Sequence, residues 1–304
     1  MTELNTRCGV VAIIGAPNAG KSTLVNQLVG QKVAIVSAKA QTTRARMMGI
    51  ALHPEADPVT QMILVDTPGI FAPKRRLDRA MVSAAWDGAE SADALVLLVD
   101  PIKQRRHELE PLVEQLATRP ERKILVLNKV DAAKKEPLLA LAQELGEKVE
   151  FTEVFFVSAL TGDGVAEMKD ALAAQMPEGV WMYPEDQVSD ASERLLATEI
   201  TREQLYQQLH EELPYDSAVR PEKYIERKDG SVEIHQQIVV MRDNQRAIVL
   251  GKGGARIKAI GQAAREELSQ LLGRKVHLFL HVKTDERWSE DKEMFEEMGL
   301  EWKS

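Results

Sequence analysis

Residues 10–22 read VVAIIGAPNAGKS. The first five are apolar and largely β-branched, without polar alternation, which suits a strand buried on both faces of a parallel sheet. The run ends in a glycine-bounded turn, and Gly15–Ser22 carries the pattern G-x-x-x-x-G-K-[ST] of a phosphate-binding loop between a strand and a helix. Its glycines let the backbone turn tightly and aim N–H groups at phosphate oxygens. A helix beginning near Lys21 adds its positive N-terminal end. Gly15, Ala16, Pro17, Asn18, Ala19, Gly20, Lys21, Ser22 and Thr23 are thus expected to cradle phosphates, with Lys21 on the β- and γ-phosphates and the Ser22 hydroxyl on Mg²⁺.

Four further runs have the same buried-strand character: MILVD (62–66), ALVLLVD (94–100), KILVLN (123–128) and VFFVSA (154–159). Helical patterns lie between them, at Lys21–Leu28, His107–Ala117, Glu136–Glu147 and Val165–Gln175. Alternating strand and helix predicts an α/β doubly wound sheet, whose ligands gather at the carboxyl ends of the strands.

Three more segments fall at those ends. In DTPG (66–69), Asp66 is expected to hold Mg²⁺ through a water, and the Gly69 N–H to sense the γ-phosphate beside Thr67 and Pro68. NKVD (128–131) points to guanine. The base offers N1–H and an exocyclic amino group as donors, and one carboxylate, Asp131, can accept both; adenine lacks both. A buried carboxylate left unpaired is penalised, so discrimination of about 10⁴ is expected. Asn128 either bonds N7 or supports the loop, and the Lys129 stem covers the ring. In SAL (Ser158, Ala159, Leu160) a backbone N–H near Ala159 is expected to face O6.

The polar stretch between the first helix and Gly49 contains Thr42 and Thr43, and Thr43 is the candidate to complete the Mg²⁺ shell when triphosphate is bound. Ile70 stands where signalling GTPases carry a water-orienting glutamine. Intrinsic turnover should therefore be slow, or use another group. Asn18 could hold a monovalent cation beside the phosphates, or be a turn residue; Arg44 and Arg46 are alternatives. Lys21, Asn18, Thr43 and Gly69 form the candidate catalytic set.

The chain has 304 residues, enough for about two domains. Its formal net charge is −8, so any nucleic-acid site must be a local patch. Cys8 is the only cysteine, which excludes an intramolecular disulfide and fits the reducing cytosol. No run approaches the length of a membrane span.

Residues 177–191 contain Pro and Gly and read as a linker, after a first domain over 1–176. Residues 192–304 then read helix (Ser192–Leu213), hairpin with Asp229-Gly230 at its turn, helix (Ala255–Leu272) and strand (275–282), a small α+β domain. Val232, Ile234, Ile238 and Val240 share one face of the second hairpin strand. GKGG (251–254) has the GxxG form of a KH module, whose loop clamps a nucleic-acid backbone. From Arg242 to Lys275 eight basic residues outnumber three acids, a cationic patch around that loop. Gly251, Lys252, Gly253, Gly254, Arg256 and Lys258 are the candidate RNA contacts, with single-stranded RNA preferred. Trp288 or Phe295, in the acidic tail, could stack a base. Base-modifying chemistry would need a nucleophile or metal cluster in this half, and the sequence offers neither; His277 and His281 read as surface residues.

QTTR (41–44), DTPGI (66–70), YPEDQVSD (183–190), ELPYDSAV (212–219) and GKGGARIKAIG (251–261), in this order, resemble the Era family of bacterial GTPases over nearly the whole length. The resemblance implies a P-loop GTPase domain followed by a type II KH domain, and GTP or GDP with Mg²⁺ as cofactors. It also implies binding of the 3′ end of 16S ribosomal RNA in the GTP state and a role in 30S subunit assembly. It further implies a cytoplasmic monomer, with peripheral inner-membrane contact in some members, and K⁺ stimulation where the P-loop carries asparagine, as at Asn18. Ala16 departs from the arginine of many relatives, at a position where the backbone does the binding.

Overall fold

The computed structural model describes residues 6–37, 39, 42–44, 46–73, 75–90, 92–103, 106–210 and 213–302. The chain forms two compact units. One comprises Met1–Ala34 and Thr43–Asp190, the other Ile35–Thr42 and Ala191–Ser304. Gln41 of the QTTR segment and Glu212 of ELPYDSAV lie outside the described residues.

In the first unit, β1 (Arg7–Ile14), β3 (Thr60–Asp66), β4 (Ala94–Val99), β5 (Arg122–Leu127) and β6 (Glu153–Phe156) are parallel, in a six-stranded sheet ordered β2-β3-β1-β4-β5-β6. Each apolar run of the sequence is one of these strands. Every residue of β4 is fully buried, because helices cover both faces. One face packs on α1 (Lys21–Val29) and α5 (Val165–Gln175), with Leu24, Leu28, Met168 and Leu172 in its core. The other packs on α2 (Arg76–Asp87), α3 (Arg106–Ala117) and α4 (Lys135–Lys148), through Trp86, Leu112, Leu116 and Leu145.

Two elements of this unit lie beyond the sequence reading. β2 (Met47–His53) pairs antiparallel with β3, and α2 follows the DTPG loop. The stretch 177–191, read as a linker, is hydrogen-bonded along the first unit. Cys8 N–H donates to Pro177 O (3.1 Å), Gly179 N–H to Thr6 O (3.0 Å) and Ile50 N–H to Val188 O (2.8 Å). The Gln61 side chain takes the Met182 and Tyr183 N–H groups at 3.0 and 3.1 Å.

In the second unit a three-stranded sheet, β7 (Ser217–Glu226), β8 (Val232–Val240) and β9 (Val276–Thr284), packs against α6 (Glu193–Gln208) and α8 (Ala255–Leu271). The Ser192 hydroxyl caps α6 by accepting from Leu195 N–H (3.2 Å). Val232, Ile234, Ile238 and Val240 are buried on one face, as their period-2 spacing requires. An eight-residue helix, α7 (Asp243–Leu250), precedes the GKGG loop, and α9 (Lys292–Glu297) lies in the acidic tail. The segment Ile35–Thr42 belongs to this unit. Ile35 is buried with Ala197 and Ile200, Val36 N–H donates to Glu203 Oε1 (2.8 Å), and the Lys39 ammonium reaches Leu209 O at 2.6 Å and Tyr206 O.

Candidate functional site

In the first unit the motif residues meet at the carboxyl ends of β1, β3, β4 and β5, where the strand order reverses between β1 and β4. α1 begins at Lys21, directly after the Gly15–Gly20 loop. Lys21 is buried, and its ammonium donates to Gly15 O (3.1 Å) and Ala16 O (3.0 Å). Burial pushes its pKa down to about 8, with the Asp66 carboxylate acting in the opposite sense. A bound phosphate favours the ammonium, so nucleotide binding should take up a proton where Lys21 is half neutral. GDP affinity is expected to fall as pH rises from 7.5 to 9, by about tenfold per pH unit once above the free-protein pKa. A K21R variant, charged throughout, should show only the titration of the base. Calorimetry in two buffers of different ionisation enthalpy reads the proton uptake; equal heats from both chains would refute it.

Three oxygens converge beside Lys21. Ser22 Oγ donates to Asp66 Oδ2 (2.6 Å) and lies 2.9 Å from Thr43 Oγ1, which is 3.3 Å from the same Asp66 oxygen. The donor set is all oxygen and suits Mg²⁺. Neighbouring ligands of an octahedron with bonds of about 2.1 Å are about 3.0 Å apart. Thr42 points elsewhere, to Ser37 Oγ (2.9 Å) and Lys39 O (2.8 Å). Thr67 is buried, its hydroxyl donating to Ile13 O (2.7 Å). Gly69 packs so closely on Pro17 that an added Cβ would lie 2.8 Å from its backbone nitrogen, which ties the DTPG turn to the P-loop. Ile70 N–H donates to Gly15 O (3.0 Å), and its side chain packs against the core. Arg44 is buried, and the Arg46 guanidinium lies 3.7 Å from Met48 Sδ. Asn18 is exposed with a left-handed backbone (φ 63°).

The NKVD loop is joined to the P-loop. Asn128 is buried; its amide donates to Ala19 O (2.8 Å) and its oxygen accepts Ala159 N–H (2.9 Å). Of its two expected roles, Asn128 takes loop support in this conformation, and the Ala159 N–H expected to face O6 is given to it. Ser158 is buried, Leu160 is 78% exposed, and Thr161 N–H caps the turn on Ser158 Oγ (3.2 Å). Asp131 is exposed. Lys129, also left-handed (φ 64°), reaches Asn18 O (2.9 Å) and Asp100 Oδ2 (2.5 Å). Asp100 was not among the sequence candidates. The signal was available: like Asp66, it is an acid at the carboxyl end of a buried strand.

In the second unit the GKGG loop joins α7 to α8. Gly251 has φ 71°, and a Cβ there would meet Arg256 N at 2.9 Å, so only glycine allows the turn. Lys252, Gly253, Arg256 and Lys258 are exposed, beside Ile248 of α7, 46% exposed. The Arg256 guanidinium caps α7 by donating to Ile248 O (2.8 Å). Arg274 is committed to Glu193 and to Glu226 (3.5 Å), which removes it from the cationic patch. Trp288 and Phe295 are buried, with Trp288 Nε1–H donating to Asp216 O (3.2 Å). Neither can stack a base; both are core of the tail. His281 pairs with Gln237 (2.9 Å) and Glu222 (3.4 Å) on the sheet surface. Among the described residues no helix is long and apolar enough to cross a membrane.

Comparison with known proteins agrees with this geometry. Residues 10–129 match the 50S ribosome-binding GTPase family, and residues 212–289 match the KH domain. The chain is 80% identical to the GTPase Era of Erythrobacter litoralis over 302 residues, 99% of both chains. It is 57% identical to that of Afipia carboxidovorans, over 98% of this chain and 95% of the relative. Among solved structures it is similar to an Era variant of Aquifex aeolicus bound to GDP and AlF4⁻, at TM-score 0.90 and 37% identity, covering 96% and 99% of the two chains. It is equally similar to an Era in complex with MgGDPNP and nucleotides 1506–1542 of 16S ribosomal RNA, at TM-score 0.91 and 37% identity, covering 97% and 99%. A GTPase unit and a KH unit in this order, with identity of this extent along the whole chain, place the protein in the Era family of GTPases.

Proposed function

We propose that this chain is a GTP-switched factor of 30S subunit assembly that binds the 3′ end of 16S ribosomal RNA through its GKGG groove. Residues 1–176 bind nucleotide, 177–191 connect, and 192–304 bind RNA. Ser22 and Thr43 hold Mg²⁺ directly and Asp66 through water, while Lys21 carries the phosphates. Asn18 holds K⁺ beside them, and Ile70, unable to orient water, leaves intrinsic turnover slow. Asp131 reads the base. The observation that carries this reading is the convergence of the Ser22, Thr43 and Asp66 oxygens beside a buried Lys21.

Coupling between the two activities follows from a single peptide bond. Thr43 stands at the Mg²⁺ oxygens, and in the segment before it Ile35, Val36 and Lys39 are held by α6 of the RNA-binding unit. A γ-phosphate that orders Thr43 acts on that segment, so GTP and RNA should strengthen each other's binding by the same factor, of the order of 5–150-fold. The test is the affinity of a 16S 3′-end oligonucleotide with a GTP analogue and with GDP, over a range of salt. Equal affinities would end the switch idea.

The groove has its own test. Lys252→Glu combined with Gly253→Asp places two carboxylates against the phosphate path. We expect RNA affinity to fall by about 100-fold, and RNA-free GTP turnover to stay unchanged. Turnover in K⁺ should exceed that in Na⁺, and Asn18→Ala should erase the difference.

A further inference from the structure

We propose that Asp100 is a positioning residue for the nucleotide base, acting by locking Lys129 against the P-loop before nucleotide arrives. The inference rests on the reading that Lys129 borders the base. Asp100 directly follows β4 and is 4% exposed. Both its oxygens are used. Oδ1 accepts Ile102 N–H (2.9 Å) and Lys103 N–H (3.1 Å), which closes the turn after the strand; Oδ2 meets the Lys129 ammonium at 2.5 Å. Burial alone would raise the carboxyl pKa, but the Lys129 ammonium and the two N–H groups overcome it and hold the group below the usual carboxylate range. A buried carboxylate without its cation is costly, so Asp100 demands that Lys129 stay in place.

What Lys129 gives up to stay there is visible. It is one of two non-glycine residues with positive φ among the described residues; the other is Asn18, whose carbonyl takes the same ammonium at 2.9 Å. Left-handed backbone costs about 1–2 kcal/mol per residue. The Asp100–Lys129–Asn18 chain therefore spans three loops: the β4 turn, the base-reading loop and the P-loop. It holds two strained residues in register. A purine then enters against a lysine stem already set, and the ordering cost does not fall on binding.

Asp100→Asn isolates this role. One amide oxygen can still accept the two turn N–H groups, but the amide NH₂ then faces the ammonium. Lys129 loses its anchor while the turn survives. We expect KM for GTP and Kd for GDP to rise together by about tenfold, with kcat within about twofold, the signature of lost uniform binding. Asp100→Glu, which keeps the charge, should recover most of the affinity. In a Lys129→Met background, Asp100→Asn should add nothing further, because its effect runs through Lys129. A D100N chain that binds within about twofold of the unaltered protein, that loses kcat instead, or that fails to fold, would overturn the inference, as would a D100E chain no better than D100N. D131N serves as the reference arm. If it retains guanine preference, the base-site reading itself fails; if it loses guanine while D100N is silent, only the role of Asp100 fails.

Discussion

Asp131→Asn should exchange guanine for xanthine. On the proposed reading, the Asp131 carboxylate of the unaltered chain accepts from N1–H and from the exocyclic amino group. In the variant an amide NH₂ confronts at least one of those donors, whereas xanthine offers a carbonyl in place of the amino group. Two hydrogen bonds to a charged acceptor, at about 1.5–3 kcal/mol each, set the loss for GTP at roughly 10³-fold. Asp131 is exposed. The free protein keeps the group hydrated, so the variant leaves no buried charge orphaned, and folding should be unaffected. Competition of GTP and XTP against a fluorescent GDP analogue measures the exchange directly. A variant that still prefers GTP would remove the base-reading role from Asp131 and with it the identification of the ligand.

Much of this site is legible in the sequence because its chemistry is local. A phosphate cradle must be built from consecutive backbone N–H groups, so eight adjacent residues, Gly15–Ser22, announce it. Strands buried on both faces announce themselves too: no polar residue interrupts ALVLLV, and every one of those side chains is buried. What escaped reading is non-local or short. β2 is an edge strand whose pairing with β3 is antiparallel, and MMGIALH, with a glycine inside, carries no strong period. α7 has eight residues, DNQRAIVL, and only Val249 is buried, so the amphipathic signal is nearly absent. Residues 177–191 have the composition of a free connector because their backbone groups are paired with the backbone and the Gln61 side chain of the first unit, through partners more than a hundred residues away. Trp288 and Phe295 look available in the sequence because an acidic tail hides its apolar residues; α9 turns Phe295 inward with Met294, and Trp288 is buried in the short turn before it. Asp100 was missed for a further reason. Its partner, Lys129, is 29 positions distant, and no spacing rule joins the end of β4 to the NKVD loop.

Adjacent threonines give the sharpest test of the switch. Thr42 and Thr43 are alike in chemistry and differ only in which way the backbone turns them. Thr43 is 9% exposed, within 2.9 Å of Ser22 Oγ and 3.3 Å of Asp66 Oδ2. Thr42 bonds Ser37 and the Lys39 carbonyl within its own segment. If the Thr43 hydroxyl completes the Mg²⁺ shell only with triphosphate present, Thr43→Ala should lower single-turnover GTP hydrolysis by about 100-fold, the loss seen when one oriented group is withdrawn from developing charge. GDP affinity should change little, because the segment is ordered by the γ-phosphate. Thr43→Ser keeps the oxygen and should keep most of the rate. Thr42→Ala should stay within about threefold, since it removes a local hydroxyl pair and no metal contact. The Mg²⁺ concentration for half-maximal rate should rise for T43A and not for T42A. Should T42A prove the more damaging, or T43S as slow as T43A, the metal is held by other oxygens. The link from γ-phosphate through Thr43 to the segment packed on α6 would then be broken at its first step.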